Sequence, residues 1–583
     1  MIEDIHEPVE CYRSVFKDSH ARNTSEYFED LVRKSSVDEV ANDKTVKELR
    51  ILEQQVADVS SSKSWWEFLR STVIFVGVIC LVLIWTQSQL AWLIGAVGAV
   101  ALVFAKLNPL IKDVDGHLRA VRTERDNKLE AAWQQMAPLN KLYDWHIVAR
   151  LARSTVPRLE LDPYFAKARL DELRDVFGWD DSSDQNRSVV FAHSGVLNGN
   201  PFVVARTLDH WMGTKAYHGS LQISWTEQER DSHGRWCTIT KHQTLHASVT
   251  KPFPEYASPT IVIYGNEAAP DLSFSRTPSK LSELEDGMIN NWIKGRAIKE
   301  LEAKSRDLDN GKGFTVMSNR EFDALFAATD RDHEVQFRLL FTPLAQQEMV
   351  KLLKDKKVGY GDDFQFAKQR MMNVVRPAHL AETDICADPA KFQAFELAHA
   401  RKFFNEYHND FFRSLFFGLA PILAIPLYQQ HRSHADIYKD VYGRAACFLE
   451  NESIANYFGE NRFQHPKCVT RTILKTESAP ASDGTQSIRV AAHGYKCTDR
   501  IDYASVYGGD GRFHDVPVSW VKYIGVRRDS EMITREIDFR QNEEQRTMDF
   551  TASNAYFQTL GAKPSNVILR RAIVAALLPN RVR

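Results

Sequence analysis

The chain has 583 residues, with 74 Lys and Arg against 76 Asp and Glu, and a formal net charge of −2. That balance implies no global attraction to nucleic acid. Charged residues make up 26% and mean hydropathy is −0.36, so most of the mass is polar; a transporter of this length would devote far more of itself to apolar helices.

Residues 1–63 read as a polar helical segment. Thr24 or Ser25 is placed to cap a short helix with Tyr27, Phe28 and Leu31 on one face. A second helix runs from about Lys44 to Val59, where Val46, Leu49, Leu52 and Val56 follow a three-four spacing. Residues 64–107 hold two apolar runs, 71–85 and 90–105, neither with a charged residue.

A spanning helix needs ~20 apolar residues, and each run borrows from its flanks. Phe68 and Leu69 extend the first, and Leu107 extends the second past Lys106, whose side chain can snorkel. The link Thr86-Gln87-Ser88-Gln89 is polar and uncharged. Trp65, Trp66, Trp85 and Trp92 sit near the ends, where amphipathic rings favour the interface. Ala91, Gly95, Gly98, Ala99 and Ala101 give the second run small surfaces for close packing. The pattern predicts a transmembrane helical hairpin. A hairpin buried in a soluble core is the alternative, disfavoured because polar helices flank the pair on both sides. Lys63 and Arg70 precede the pair and Lys106 and Lys112 follow it, which orients both flanks to the cytoplasm. A long polar segment before the first run argues against a secretory signal.

Residues 108–150 predict one long stalk helix with a stripe of Val114, Leu118, Val121, Leu129 and Met136. It is expected to pack beside the 44–59 helix. Residues 151–376 read as an α+β domain. A short helix closes at 170–176 and a strand covers 188–192. From Tyr217, Gly219, Leu221, Ile223 and Trp225 alternate with Ser220, Gln222, Ser224 and Thr226. Strands at 236–251 and 260–264 follow, then helices at 281–308, 319–328 and 343–353, and one closing strand at 362–375. A turn is expected at 310–313.

Residues 377–430 predict a helix from 389 to 407 leading into a third apolar stretch, 411–428. It is broken by Gly418, Pro421 and Pro426 and carries Arg413. With about 14 continuous apolar residues, an interfacial, re-entrant or buried position is favoured over spanning. Residues 431–583 form a β-rich C-terminal domain, with hairpins around 478–485 and 507–512 and an amphipathic tail helix at 566–578. The fold class is therefore α+β: a two-helix transmembrane hairpin with a helical stalk, then two mixed α/β soluble regions.

Two clusters carry candidate chemistry. His465, Cys468, His493 and Cys497 form H-x2-C and H-x3-C pairs. At the base of one hairpin they would suit a structural tetrahedral zinc site. A reduced Cys pair beside surface histidines is the simpler reading, and a Cys468–Cys497 disulfide is the rival if this domain lies outside the cell. His218, His242 and His246 would share a sheet face if the register set Thr244 opposite His218, giving a three-histidine catalytic zinc site; a polar sheet face is the simpler account. Residues 507–512 resemble an anion cradle but lack a following helix, so a hairpin turn is favoured. Seven sparse cysteines (Cys11, Cys80, Cys237, Cys386, Cys447, Cys468, Cys497) do not read as a disulfide framework and agree with a reducing compartment. No G-x-S-x-G, H-E-x-x-H or Walker A pattern occurs.

The hairpin at 71–105, the stretch from Tyr217 to Tyr264, and Asn319-Arg320-Glu321-Phe322 through Leu339-Leu340-Phe341-Thr342-Pro343 resemble an uncharacterised bacterial integral-membrane family often found beside LemA-like proteins. The resemblance covers about half the chain and stops before Phe411. It implies no reaction, cofactor or catalytic residue. The expected function is a membrane-anchored scaffold or interaction protein, with the bulk of the chain cytoplasmic, the lipid bilayer and a protein or second copy as partners, and no nucleic acid. A membrane-tethered metal-dependent hydrolase using the His218 face, or a subunit of an oligomeric channel or transporter, are the alternatives.

Overall fold

The computed structural model describes residues 5–579, apart from 88–90, 181–184, 231, 233–234, 284–294, 297, 301, 304–314, 430–444, 481–483, 539 and 542. The fold is mixed α and β, with a helical N-terminal region and two antiparallel sheets among the described residues. It divides into two compact units. Unit 1 comprises Met1–His20, Trp145–Ala387 and Asn409–Arg583; unit 2 comprises Ala21–Asp144 and Asp388–His408.

Unit 2 is helical. Its longest helix, Glu39–Gln87, joins the expected 44–59 helix to the first apolar run without a break. No Gly or Pro interrupts this helix before Gly77, so nothing stops propagation. The Asp38 carboxylate caps the start by accepting from the Ala41 amide at 3.0 Å. Val46, Leu49 and Leu52 are buried on the face toward the Asn108–Asn140 helix, which buries Leu118, Val121, Ala132 and Met136. Lys128 donates to Glu48 at 2.6 Å, and Gln135 donates to Thr45 at 3.0 Å. Asn42, fully buried, accepts from the Leu397 amide and donates to the Phe395 carbonyl, both at 3.0 Å.

Two helical expectations change. The stalk helix ends at Asn140, with Pro138 in its last turn, and Ile147–Thr155 is a separate helix of unit 1. Thr24 caps nothing: it is buried in the middle of the Lys17–Ser35 helix. The second apolar run forms Ala91–Leu102, continued by a π turn at Val103–Leu107. A Cβ added at Gly95 would stand 3.1 Å from Cys80 Sγ, and one at Gly77 would stand 3.2 Å from Ala99 Cβ, whereas Gly98 faces open space. Gly77 and Gly95 therefore make the close approach.

Unit 1 contains both sheets. The first holds β1 (Leu159–Leu161), β2 (Arg187–Leu197), β3 (Asn200–Arg230), β4 (Trp236–Ala257), β5 (Thr260–Gly265), β6 (Ser273–Arg276), β7 (Phe364–Gln369) and β8 (Met372–Pro377). Its order is β1-β2-β3-β5-β8-β7-β6, with β4 paired to β3. The expected single strand at 362–375 is thus a hairpin, turned at Arg370, whose φ is 56°. The second sheet holds β9 (Ile473–Pro480), β10 (Thr485–Tyr507), β11 (Phe513–Glu536), β12 (Val567–Arg570) and β13 (Ile573–Leu577), in the order β12-β13-β11-β10-β9.

The hairpins β3–β4 and β10–β11 run past their sheets as two long arms that pack together. Ile223, Leu245 and Val516 are buried between them, with Leu221, Trp225, Ala247 and Val506 alongside. Alternation makes this possible: the odd residues of β3 are the apolar ones, so one face of the ribbon is sticky and the other is not. Lys251 pairs with Asp502 and covers the Trp520 ring.

The third apolar stretch belongs to the core of unit 1. From Asn409 onward the Leu397–Leu423 helix lies in this unit, and Phe411, Phe412, Leu415, Phe416, Leu419, Ile422, Ile425 and Tyr428 are buried. Tyr12 and Phe16 stack on Phe412 and Phe416. Arg413 is tolerated because its guanidinium donates to the Val358 and Gly359 carbonyls at 3.0 and 3.3 Å.

The tail corrects another expectation. Residues 566–578 form the β12–β13 hairpin, not a helix. Arg571 turns it with φ 56°, a value that ends a helix, and Val567, Ile573 and Val574 suit strands. The Glu543–Thr559 helix has no counterpart among the expected elements. Most of the helix expected at 281–308, and all of the turn at 310–313, lie outside the described residues.

Candidate functional site

The two histidine clusters do not assemble. In the β3–β4 register Ser248 faces His218, Ser220 faces His246 and Ser224 faces His242. The expected Thr244 partner is Gln222 instead. Parity is preserved, so the three imidazoles do share the exposed outer face. His242 nevertheless lies six residue pairs along the ribbon from His218, about 20 Å at ~3.3 Å per residue, too far for one metal. That face is an uncharged ladder of Ser, Thr, Gln and His.

His493 and Cys497 share the outer face of β10, with exposed Cys497 opposite Tyr523. Cys468 lies on the other face, against the space a Cβ on Gly494 would occupy, and its thiol contacts the Thr470 carbonyl at 3.5 Å. His465 Nδ1 accepts from the Lys467 amide at 3.1 Å. The four are not convergent, and among the described residues no group of three or more His, Cys, Asp or Glu is arranged to hold a metal ion. The same opposition of faces removes the Cys468–Cys497 disulfide. At 507–512 the structure shows the expected hairpin turn. Its amides are engaged: Gly508 N donates to the Arg512 carbonyl at 2.8 Å and Gly509 N to Gln243 Oε1 at 2.7 Å.

One constellation resembles a hydrolytic triad and is not one. His379 Nδ1 meets Asp363 Oδ2 at 2.5 Å, but Nε2 meets the Ser414 carbonyl at 3.0 Å, while Ser414 Oγ bonds Tyr360 and Thr383. Without a hydroxyl-to-imidazole bond there is no activated nucleophile. The Tyr360 ring lies flat on the imidazole at 3.8 Å.

A cavity of about 1080 Å³ lies on one face of the first sheet, of the size of a ligand cleft. Its floor is apolar: Val203 and Ala205 of β3, Ile261 and Ile263 of β5 and Val374 of β8. These side chains share a face because the registers pair Val203 with Ile263 and Ile263 with Val374. Phe177 and Trp179, after the Lys167–Asp175 helix, and Phe448 complete the apolar wall.

One end of the cleft is cationic, lined by Arg187, Arg376 and Lys475 beside Glu452. Arg187 makes a bidentate bridge to Asp209 at 2.8 and 3.0 Å. Lys475 Nζ stands 2.6 Å from Glu452 Oε1 and donates to the Arg187 carbonyl at 3.1 Å. The Phe448–Phe458 helix carries Glu452 on its inner side, where Oε2 accepts from the Val189 amide at 2.9 Å. Burial drives the Glu452 carboxyl up to about 7, against the pull of Lys475. Arg376 lies at the end of β8. Burial and the nearby Arg187 charge lower its pKa, and among the described residues no hydrogen bond or ion pair engages its guanidinium. Asp271, Ser273, Asp332, Gln369 and Arg370 line the other end.

Behind the helix lies a buried charge cluster. Arg571 reaches Glu450 at 3.2 Å and His193 Nδ1 at 3.4 Å, while Arg570 packs over the Phe191 ring. His193 Nε2 meets the Ile385 carbonyl at 2.9 Å. These contacts call for the neutral Nε2–H tautomer. Burial, then the Arg571 charge, drives the imidazole down to about 3. No motif marks these residues in the sequence. The one signal is Glu450-Asn451-Glu452-Ser453 beside an apolar run, and it does not distinguish a buried helix face from a solvated one.

No family model, curated protein or solved structure matches the chain.

Proposed function

We propose that the chain is a membrane-anchored interaction protein. The anchor is the helical pair of unit 2, and the bulk of the chain serves as a cytoplasmic binding body. The observation that carries the reading is exposure of apolar surface along the two runs: Phe75 is 65%, Ile94 76% and Phe104 71% exposed. Both helices are long and apolar enough to cross a bilayer, and only 11% and 22% of their apolar windows are buried. A core helix of a soluble protein hides that surface; an extended apolar face left open marks a membrane or protein contact. Lys63, Arg70, Lys106 and Lys112 favour the cytoplasm for both flanks.

The test is membrane retention and topology. The full chain is expected to resist alkaline extraction from membranes, and Phe75→Asp with Ile79→Asp to release it. Reporter fusions after Ser88 and at the C-terminus are expected on opposite sides. Free solubility of the wild type, or reporters on the same side, overturns the reading.

A further inference from the structure

We infer that the cleft on the first sheet binds an anionic amphiphile, its carboxylate or phosphate on Arg376 and its apolar body along Val374, Trp179 and Phe448. This site is independent of the anchoring function proposed above.

The contacts at the cationic end point to an anionic head group. Arg187 is bridged to Asp209, and Lys475 is held by Glu452 and the Arg187 carbonyl. That leaves Arg376, among the described residues lining this end, as the cation without a carboxylate in contact. A guanidinium presents a planar fork that matches a carboxylate or phosphate in two-point contact. A neutral ligand would leave that fork unanswered, and a cation would meet three positive side chains.

The apolar body follows from the floor. From Arg376 toward the β7–β8 turn the cleft runs along β8 past Val374 to Met372, about 13 Å at ~3.3 Å per residue. This is the length of a medium alkyl chain. At the far end Asp271 accepts from Gln336 at 2.8 Å and Asp332 accepts from the Ser273 amide at 2.6 Å, beside Arg370 of the β7–β8 turn.

The test uses octanoate as probe on the full chain in neutral phosphatidylcholine nanodiscs, with empty nanodiscs subtracted. Octan-1-ol, octylammonium, octyl phosphate and inorganic phosphate form the comparison set. Octanoate or octyl phosphate is expected to bind saturably, at least about tenfold tighter than the alcohol, the amine or phosphate alone. Arg376→Gln is expected to cost about tenfold, and Asp271→Asn at the other end to leave affinity unchanged. Octanoate and octyl phosphate separate a carboxylate from a phosphate head. Absence of saturable binding, equal binding of octan-1-ol or of phosphate alone, or an Arg376→Gln protein that binds like wild type overturns the proposal. Retention of the chain in membranes is unaffected by any of these results.

Discussion

Lys475 Nζ stands 2.6 Å from Glu452 Oε1, a carboxylate with no exposed surface, at the wall of the cavity on the first sheet. The pair joins a strand of the second sheet to a helix that also holds the first sheet, through the Val189 amide. A buried ion pair is weak evidence for stability, because desolvation of both charges offsets their attraction. Here desolvation prevails at the carboxyl, and that has a measurable consequence.

Glu452 titrates at about 7 in the folded chain, above its ordinary 4.5. The folded state therefore holds a proton that the unfolded state releases. The resulting stability is fully present below pH 4.5 and is lost as pH rises through about 7, by roughly 3 kcal/mol. Glu452→Gln is expected to remove that slope. Denaturant melts of both proteins between pH 4.5 and 8 measure it, and parallel pH profiles contradict the assignment.

His193 works in the opposite direction. Its imidazole is held neutral down to about 3, whereas the unfolded side chain takes up a proton below 6.5. Stability from this site is complete above pH 6.5 and is lost as pH falls toward 3, by roughly 5 kcal/mol at full extent. His193→Gln can keep a donor toward the Ile385 carbonyl without an ionisable ring. The variant is expected to be less stable at pH 7 and less acid-sensitive below pH 5, read from the same melts.

At Gly219 the two arms leave no room for a side chain. A Cβ there would overlap the Pro517 carbonyl, so Gly219→Val is expected to part the ribbons and destabilise by about 1–3 kcal/mol. Limited proteolysis is expected to cut near the arm ends faster in this variant. Ser220→Val, on the solvent face, should leave the cleavage rate unchanged.

Leu419 tests the third apolar stretch. It is 1% exposed within unit 1, so Leu419→Ala is expected to cost about 2–5 kcal/mol of folding stability. Phe75→Ala, at an open position of the first run, should leave the melting of unit 1 unchanged.

Cysteine chemistry reports the β10 faces. Cys497 is exposed, whereas Cys447 is buried and its thiol is held well above the usual range by burial. A maleimide is expected to label Cys497 within minutes and Cys447 only after unfolding. Mild oxidation is expected to yield no Cys468–Cys497 bond by mass spectrometry, because the two lie on opposite sides of the sheet.

The sequence by itself determined features that depend on near neighbours. The uncharged runs at 71–85 and 90–105 are legible because length and composition suffice for an apolar helix. The alternation from Tyr217 to Trp225 is legible because a strand writes its two faces in a period of two. Tertiary structure decided the rest. The 411–428 stretch could lie in lipid or in a core until Tyr12, Phe16 and the Val358 and Gly359 carbonyls came against it. The amphipathic tail became a hairpin because β11 offered an edge and Arg571 turned the chain beside Glu450. The histidine faces kept their parity, but register put His242 far from His218. Arg187, Arg376, Glu452 and Lys475, distant in the chain, meet at one end of one cleft because three strands and a helix bring them there. No local pattern encodes that meeting, since each contact spans tens to hundreds of residues.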